Sequence, residues 1–236
     1  LRRAALTIHA SHWAADAARK AEPSAASKVK VQPFGVNLPE WPERPAERAF
    51  PGASVELLFI GVKWVEKGGP IAYEALLRLK ERGLAAKLTV IGCDPPMELR
   101  DPDLVRVGFL DKNDHAQLER LEQHLRSADF LIVPTRFEAY GIVFCEAAAY
   151  GIPALGTRTG GVPTIIEHGR TGFLVDPRDG GAVHADHMAG LVAEPARWQA
   201  MRRAARQRFE EVLNWDAFVD GLIRYAEEAG IISNAR

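Results

Sequence analysis

The sequence predicts an α/β protein built on a doubly wound parallel sheet of about six strands, with helices on both faces. Two observations support this prediction. From residue 55 onward, strand-like and helix-like segments alternate, which is the pattern of right-handed βαβ units. The strand-like segments at residues 55–62 and 130–134 are nearly continuous apolar runs, as expected of strands covered on both faces. At 236 residues, the chain is long enough for a core of two or three layers.

Each element is predicted from its own apolar pattern and end signals. Near the N-terminus, residues 4–10 form a short apolar run, and Ser11 is suited to cap a helix over residues 12–21. Residues 28–33 alternate as a strand does. Further strands are predicted at residues 55–62, 88–92, 104–109, 130–134 and 153–156, and helices at residues 68–82, 114–127, 142–150, 180–193, 195–213 and 215–230.

A proline-rich stretch separates the first elements from the rest of the chain. Residues 38–51 hold four prolines among charged residues and show no hydrophobic period. Because proline fixes its own backbone angle, we expect a semi-rigid linker here. A domain boundary is therefore predicted near residues 38–52.

Composition and charge exclude several classes of protein. The 30 basic and 31 acidic side chains leave a formal net charge of −1, so no global basic field favours nucleic acid binding. No run approaches the roughly 18 to 20 apolar residues that a membrane span needs. Cys93 and Cys145 lack the CxxC spacing, which favours buried, reduced thiols in a cytoplasmic protein. Because the sequence starts at Leu1 and shows no signal peptide, we expect it to be a fragment.

The stretch over residues 130–175 carries the chemistry. Gly141 stands between a polar loop and an apolar helix, so we expect a hinge that leaves the first N–H groups of the helix at the carboxyl end of a strand. Such groups favour an anion, and ligands collect at that edge of open parallel sheets. Glu138 in the loop and Glu146 in the helix could then accept hydrogen bonds from vicinal sugar hydroxyls. The alternative is that Glu138 is solvated and Glu146 is a first-turn acid of the helix.

Two lysines follow the first long strand. Lys63 and Lys67 stand just before Gly68 and Gly69, which open a helix. A cation beside a glycine-rich helix start is suited to neutralise phosphate oxygens. The alternative is that both are solvated loop lysines, as most lysines are.

Several of these motifs together resemble one known family. Glu138 and Glu146 are separated by seven residues, and they are followed by Tyr-Gly-Ile-Pro at residues 150–153 and Thr-Gly-Gly-Val-Pro at residues 159–163. This order resembles the donor-binding, C-terminal half of the GT-B glycosyltransferases, specifically their large retaining family four. Residues 28–37 resemble the passage in which the first domain of that family ends.

The resemblance implies an arrangement of domains. Residues 1–45 would be a remnant of the N-terminal acceptor domain plus the proline-rich linker. Residues 46–214 would form a Rossmann-like domain that binds a nucleotide sugar. Residues 215–236 would form a C-terminal helix that returns toward the missing N-terminal domain.

The resemblance also assigns roles to residues. Lys67 corresponds to the diphosphate-binding lysine and Glu138 to the glutamate that contacts the transferred sugar, so these two are the predicted catalytic residues. Glu146 corresponds to the glutamate that contacts ribose. Because Val62 stands where the family usually has arginine, Lys63 is the candidate for a second phosphate cation. The predicted donor-binding set is Lys63, Lys67, Phe109, Leu110, Glu138, Ala139, Tyr140, Gly141, Ile142, Glu146, Gly160 and Gly161.

Alternatives remain for three members of this region. Phe109 is either an apolar wall for the nucleotide base or a core residue. The Gly160–Gly161 pair is either a tight turn that permits close approach to the sugar or an ordinary loop. Arg136 either contacts the donor or pairs with Glu138.

The function implied is that of a hexosyltransferase in carbohydrate biosynthesis, which transfers a sugar from a nucleoside diphosphate sugar to an acceptor hydroxyl with retention. The co-substrate is the nucleotide sugar, no other cofactor is expected, and the isolated chain is expected to be inactive or weakly active. No metal is predicted, because His184, Asp186 and His187 lack a further ligand at a recognisable spacing. The acceptor would be a glycan, a lipid or a small molecule. We expect no nucleic acid partner, no transmembrane segment and a cytoplasmic location. The missing domain would be the part of the protein able to contact a membrane peripherally. The alternatives are a sugar-nucleotide epimerase of GT-B architecture and a non-catalytic module that binds a nucleotide sugar.

Overall fold

The computed structural model describes residues 1–233, and residues 234–236 of the predicted C-terminal segment lie outside the described residues. Within residues 1–233 the chain forms eight strands and eight helices, together with a 3₁₀ segment over Pro23–Lys28. The strands are β1 (Thr7–His9), β2 (Val29–Val31), β3 (Val55–Ile60), β4 (Ala86–Ile91), β5 (Leu104–Gly108), β6 (Phe130–Val133), β7 (Ala154–Thr157) and β8 (Gly172–Val175). The helices are α1 (His12–Ala21), α2 (Gly69–Glu81), α3 (His115–Ser127), α4 (Ile142–Ala149), α5 (Val162–Ile165), α6 (Gly181–Ala193), α7 (Pro195–Glu211) and α8 (Trp215–Glu228).

Six strands of the described chain form one parallel sheet in the order β5-β4-β3-β6-β7-β8. Strand β3 pairs with β4, where Val55 lies opposite Ala86, and with β6, where Leu57 lies opposite Phe130. The chain therefore winds outward from β3 to β5, returns across the sheet, and winds the other way from β6 to β8. The loops that leave β3 and β6 diverge, which opens a crevice at the carboxyl edge between them. The predicted doubly wound α/β fold is confirmed.

Strand β6 shows why the sheet lies at the centre of the core. All four of its residues are buried, and their side chains alternate between the two faces. Phe130 packs in the apolar cluster that contains Trp198 of α7, whereas Leu131 packs in the cluster that contains Phe144 of α4. Because helices cover both faces, the strand is apolar throughout. Burying each such side chain stabilises the fold by about 1.5–3 kcal/mol relative to leaving it exposed.

Several predicted elements end elsewhere in the structure. The strand predicted over residues 55–62 ends at Ile60, and Val62 is exposed in the loop that follows. The helix predicted over residues 195–213 ends at Glu211. The sequence pattern does not single out β8 or α5. Helix α5 spans about one turn, which is too short to show a helical period. Strand β8 begins at Gly172, and glycine is depleted in strands.

The N-terminal strands form a second, small sheet. Strands β1 and β2 pair in parallel outside the main sheet. Helix α8 packs against them, since the Gln32 side chain donates to the Ala217 carbonyl at 3.0 Å and the Tyr225 hydroxyl donates to the Val31 carbonyl at 3.1 Å. The two ends of the described chain are therefore neighbours, while the domain boundaries inferred from the sequence stay predictions.

The proline-rich stretch lies along α7. The Arg206 guanidinium donates to the Pro42 carbonyl at 2.7 Å and to the Ala149 carbonyl at 2.6 Å, so it joins the linker to the end of α4. The Trp41 ring packs edge-on against Phe209, with 5.0 Å between the ring centroids. Side chains of α7 thus hold this segment in place.

Candidate functional site

The crevice between the carboxyl ends of β3 and β6 contains a cation and a carboxylate. Lys67 comes from the loop after β3 and Glu138 from the loop after β6. The Lys67 ammonium donates to Glu138 Oε2 at 2.6 Å. The side chains are 27% and 17% exposed, respectively, so solvent reaches both. The structure therefore brings together the two residues that the resemblance assigns to catalysis.

The Lys67 side chain lies across the end of β3. A Cβ atom on Gly61 would stand 3.1 Å from Lys67 Cγ, so the glycine leaves room for the lysine stem. The Lys67 N–H donates to the Lys63 carbonyl at 3.0 Å, within the turn that leads into α2. The backbone turn and the open strand end direct the ammonium toward β6.

Thr135 connects the two loops. Its side chain is fully buried, and its hydroxyl lies 3.2 Å from the Glu66 carbonyl and 2.8 Å from the Phe137 carbonyl. A hydroxyl carries one proton, so it donates to one of these carbonyls at a time. Both carbonyls adjoin the site residues, Lys67 on one loop and Glu138 on the other. Backbone contacts through Thr135 therefore fix the separation of the ion pair.

Gly141 turns the chain from the loop into α4. Its φ is +98°, which side-chain-bearing residues rarely adopt. A Cβ atom there would stand 2.7 Å from the Phe144 ring and 3.1 Å from Glu138 Cγ. Helix α4 begins at the next residue, Ile142, and its first N–H groups lie at the carboxyl edge of β6. The hinge thus places the partly positive end of a helix beside the ion pair.

The Gly160–Gly161 turn after β7 packs on the backbone of the Glu138 loop. The Gly161 N–H donates to the Glu138 carbonyl at 3.0 Å. A Cβ atom on Gly160 would collide with that same oxygen, and one on Gly161 would collide with the Ala139 carbonyl. The turn therefore needs two residues without side chains in order to pack on this backbone. Its role toward a sugar stays a prediction.

Glu146 lies inside α4 and forms a second ion pair. Its side chain is 2% exposed, and its Oε1 accepts a hydrogen bond from Lys112, in the loop between β5 and α3. Burial raises the pKa of the Glu146 carboxyl, and the Lys112 ammonium opposes that rise. The alternative in which Glu146 is a first-turn acid of the helix is wrong, since Glu146 lies beyond the first turn of α4 and is buried.

Lys112 is a residue of the candidate site that the sequence pattern does not reveal. It stands in a polar loop, where the Asn113 N–H donates to Asp111 Oδ1 at 2.9 Å and Asp114 accepts from the Gln117 N–H at 3.0 Å to cap α3. Such a loop lysine is ordinarily solvated. The one available signal is its position just after a strand, at the edge of the sheet where ligands bind.

Two predicted basic residues lie outside the Lys67–Glu138 pair. The Lys63 side chain is 66% exposed, and its ammonium is 4.0 Å from Glu66 Oε1. The Arg136 guanidinium donates to the Pro177 carbonyl at 2.9 Å. Of the alternatives for Arg136, pairing with Glu138 is therefore wrong in this structure.

The predicted apolar wall divides at the end of β5. Phe109 is 68% exposed, so the alternative of a core residue is wrong. Leu110 is buried in the core, where its side chain packs among apolar neighbours. Only the Phe109 ring is thus available to a ligand.

The remaining predicted residues form the loop itself. Ala139 is exposed, and Ile142 is half-buried at the start of α4. The Tyr140 hydroxyl donates to the Phe34 carbonyl at 2.8 Å, and burial raises the pKa of this phenol. Tyr140 therefore ties the site loop to the segment that follows β2.

The other sequence predictions concern metal ligands, cysteines and membrane spans. No group of three or more His, Cys, Asp or Glu within residues 1–233 is placed to hold a metal ion. In α6, His184 is buried and Asp186 pairs with Arg82. Both cysteines are free; Cys145 is buried as predicted, but Cys93 is half-buried. Across the same residues, each helix is too short or too polar to cross a bilayer.

A family model and several curated proteins match this chain. Residues 54–194 match the model described as "Glycosyl transferases group 1". Glycogen synthase from Mycobacterium tuberculosis is 32% identical over 195 residues, which cover 80% of this chain and 46% of the relative. D-inositol 3-phosphate glycosyltransferase from Thermobifida fusca is 29% identical over 192 residues, which cover 76% of this chain and 44% of the relative. The chain thus spans about half the length of the curated relatives it matches.

Solved structures share the fold. A glycosyltransferase from Rickettsia africae superposes with a TM-score of 0.73 at 16% identity, over 98% of this chain and 64% of that one. Anabaena Alr3699/HepE in complex with UDP-glucose superposes with a TM-score of 0.68 at 17% identity, over 97% of this chain and 64% of that one. At these identities the likeness is one of fold.

Proposed function

The chain belongs to the glycosyl transferases group 1 family, and we propose that it is the half of a GT-B glycosyltransferase that binds the nucleoside diphosphate sugar. The observation that carries this proposal is the Lys67–Glu138 ion pair at the switch point between β3 and β6. A cation suited to a diphosphate and a carboxylate suited to sugar hydroxyls meet where open α/β sheets bind their ligands. A protein of the same fold was solved with UDP-glucose, which supports a nucleotide sugar as co-substrate.

Lys67 would act on the leaving group. Transfer of the sugar breaks the bond between its anomeric carbon and a phosphate oxygen, so negative charge develops on the diphosphate. The Lys67 ammonium and the N–H groups at the start of α4 are held in place before the reaction, which is the arrangement that stabilises such charge best. A tethered loop, fixed through Thr135, keeps this cation from reorganising during the step.

Glu138 would orient the sugar. Its carboxylate can accept two hydrogen bonds from neighbouring hydroxyls, which positions the anomeric carbon for the acceptor. The backbone groups of residues 139–142 and the Gly160–Gly161 turn would meet the oxygens of the sugar or the diphosphate. Glu146 would accept from ribose, and the exposed Phe109 ring would meet the base. On the basis of the family resemblance, we also propose that the transferred sugar is a hexose and that its anomeric configuration is retained.

The proposal assigns only part of the reaction to this chain. Because the chain spans about half the length of the curated relatives, we assign the acceptor to the other half of a longer protein. The acceptor would be a glycan, a lipid or a small molecule. On its own, the chain would bind the donor and turn it over slowly or not at all.

Calorimetric titration of the chain with UDP, ADP and GDP, and with the three corresponding nucleoside diphosphate glucoses, tests the proposal. We expect at least one nucleotide and its sugar derivative to bind. Lys67→Met should lower the affinity for the nucleotide and for its sugar derivative about tenfold or more, because the hydrogen-bonded charge pair between Lys67 and a phosphate is lost. Glu138→Gln should affect the two ligands differently. The nucleoside diphosphate should bind more tightly than it does to wild type, since Lys67 loses a competing carboxylate. The sugar derivative should no longer bind more tightly than the diphosphate.

Matched variants show whether these effects are local. Lys20→Met removes an exposed lysine of α1 and should leave both affinities unchanged. Lys63→Met tests whether that exposed lysine serves as the second phosphate cation. If it does, the substitution should weaken binding of the diphosphate, as Lys67→Met does. Failure of every nucleotide to bind at millimolar concentration, or wild-type affinity in Lys67→Met, would contradict the proposal.

A further inference from the structure

The Lys112–Glu146 ion pair joins two elements that are distant in the sequence. Lys112 lies in the loop after β5, and Glu146 lies in α4, which follows β6. Among the described residues, Lys112 is the hydrogen-bond partner of Glu146 Oε1, and no side-chain or main-chain donor in that range meets Oε2. One oxygen of a buried carboxylate is thus engaged, and the other remains as an acceptor.

A buried carboxylate needs a partner to stay ionised. Without an opposite charge, burial favours the protonated acid, which has lost part of its accepting capacity. The Lys112 ammonium supplies that charge, and its side chain is 38% exposed, so its own desolvation is incomplete. The Asp111 turn and the Asp114 cap fix the loop that carries it. The Lys112 ammonium therefore favours the charged form of Glu146, and the hydrogen bond orients its carboxylate.

The order of the strands separates the loop of Lys112 from the loop of Lys67. One strand, β4, lies between β5 and β3. Neighbouring strands are about 4.8 Å apart, so the loop that carries Lys112 begins about 10 Å from the strand that leads to Lys67. Lys67 and Lys112 thus come from loops that leave the sheet two strands apart, at the same carboxyl edge. On the proposed function, a nucleoside diphosphate offers its diphosphate to Lys67 and its ribose to Glu146.

We propose that Lys112 is a positioning residue for nucleotide recognition, which holds Glu146 Oε1 so that Oε2 accepts a hydrogen bond from a ribose hydroxyl. This inference rests on the proposed function, since it takes the bound ligand to be a nucleotide. Lys112 thereby joins the residues that recognise the nucleotide, although no motif identifies it. The preference for ribose over deoxyribose then depends on a lysine that does not contact the sugar. Arginine at this position would keep the charge and the hydrogen bond.

The test compares ribonucleotides with deoxyribonucleotides. The chain is titrated calorimetrically with UDP, ADP and GDP and with the 2′-deoxy and 3′-deoxy analogue of each one that binds. Wild type should prefer the ribonucleotide by about tenfold over at least one analogue, as expected for one hydrogen bond to a charged group. Lys112→Met should abolish that preference and leave the affinity for the deoxy analogue unchanged. Lys112→Arg should restore most of the preference.

A second variant covers the case in which Lys112→Met does not fold, because it leaves a buried carboxylate alone. Lys112→Met/Glu146→Gln removes both charges, and it should bind ribonucleotides and deoxynucleotides as Glu146→Gln alone does. A further loss for the deoxy analogue in the double variant would place Lys112 on the ligand and overturn the inference. An equal loss for both kinds of nucleotide in Lys112→Met would also overturn it.

Failure of the inference can be told from failure of the proposed function. If wild type binds a nucleoside diphosphate without preferring ribose, the inference is wrong while the Lys67 site stands. If wild type binds no nucleoside diphosphate, the proposed function is wrong, and the inference goes with it.

Discussion

Gly160→Ala is expected to destabilise the protein and displace the Glu138 loop. The φ of Gly160 is +48°, where a residue with a side chain is strained by about 1 kcal/mol. The added Cβ would also collide with the Glu138 carbonyl oxygen, a backbone atom that cannot swing aside as a side chain does. Forcing an extra methyl group into a closely packed place costs about 1–3 kcal/mol. The free energy of unfolding should therefore fall by about 2–4 kcal/mol.

Gly83→Ala is the matched control for the strain alone. Gly83 has a φ of +75°, and a Cβ atom there would meet nothing within 4 Å. It should lose about 1 kcal/mol, because the left-handed conformation is strained but nothing collides. The difference between the two variants isolates the contact between the Gly160–Gly161 turn and the Glu138 loop.

Urea unfolding and thermal unfolding of both variants measure this difference. For a chain of this size, 2–4 kcal/mol corresponds to a fall in Tm of about 4 to 16 °C. Gly160→Ala should also weaken binding of the sugar nucleotide, since Glu138 moves, whereas Gly83→Ala should bind as wild type does. If Gly160→Ala were no less stable than Gly83→Ala, the argument that the turn packs tightly on the Glu138 backbone would be refuted.

Three further predictions concern residues outside the predicted donor-binding set. Arg206→Met should lower the free energy of unfolding, measured by urea unfolding, by about 2–3 kcal/mol, because two backbone carbonyls lose a buried charged donor. Arg203→Met, on the exposed side of α7, is the control and should change that free energy by less than about 0.5 kcal/mol. Burial raises the pKa of the Cys145 thiol to about 12, so mass spectrometry should find Cys145 unmodified by iodoacetamide at pH 8 until urea unfolds the chain. Burial lowers the pKa of His184 to about 4, below its ordinary value of about 6.5, so the unfolded chain is protonated first as the pH falls. Stability should therefore decline between about pH 6.5 and pH 4 by at most about 3 kcal/mol from this residue, and His184→Gln should flatten that part of the profile.

The fold could be predicted because its signals are local and repeated. Strands covered on both faces are apolar throughout, and β6 shows this in four consecutive residues. The α1 helix has a local start signal as well, since the Ser11 hydroxyl accepts from the Ala14 N–H at 3.2 Å. Elements without such signals are missed. Helix α5 is too short to show a helical period, and β8 begins at a glycine, so both positions depend on packing against neighbours that the sequence alone does not bring together.

The site could be predicted only where a residue type and a spacing both carry information. Glu138 and Glu146 stand at a recognisable interval, and Lys67 stands beside a glycine-rich helix start. Lys112 has neither signal, because its partner is chosen by the order of strands in the sheet and not by the loop around it. The same limit applies at the end of β5, where only the path of the backbone decides that Phe109 faces solvent while its neighbour enters the core.

The two ion pairs differ in burial, and on the proposed function this difference separates their roles. Solvent partly reaches the Lys67–Glu138 pair, so its charges separate at lower cost than those of a fully buried pair, and a diphosphate can replace Glu138 as the partner of Lys67. When the diphosphate binds Lys67, Glu138 loses that partner and can accept hydrogen bonds from the sugar of the same ligand. The Lys112–Glu146 pair is different, since the Glu146 carboxylate is buried and separation would leave it uncompensated, which is strongly destabilising. The first pair is therefore suited to exchange partners when the ligand binds, and the second is suited to remain intact and present a fixed acceptor.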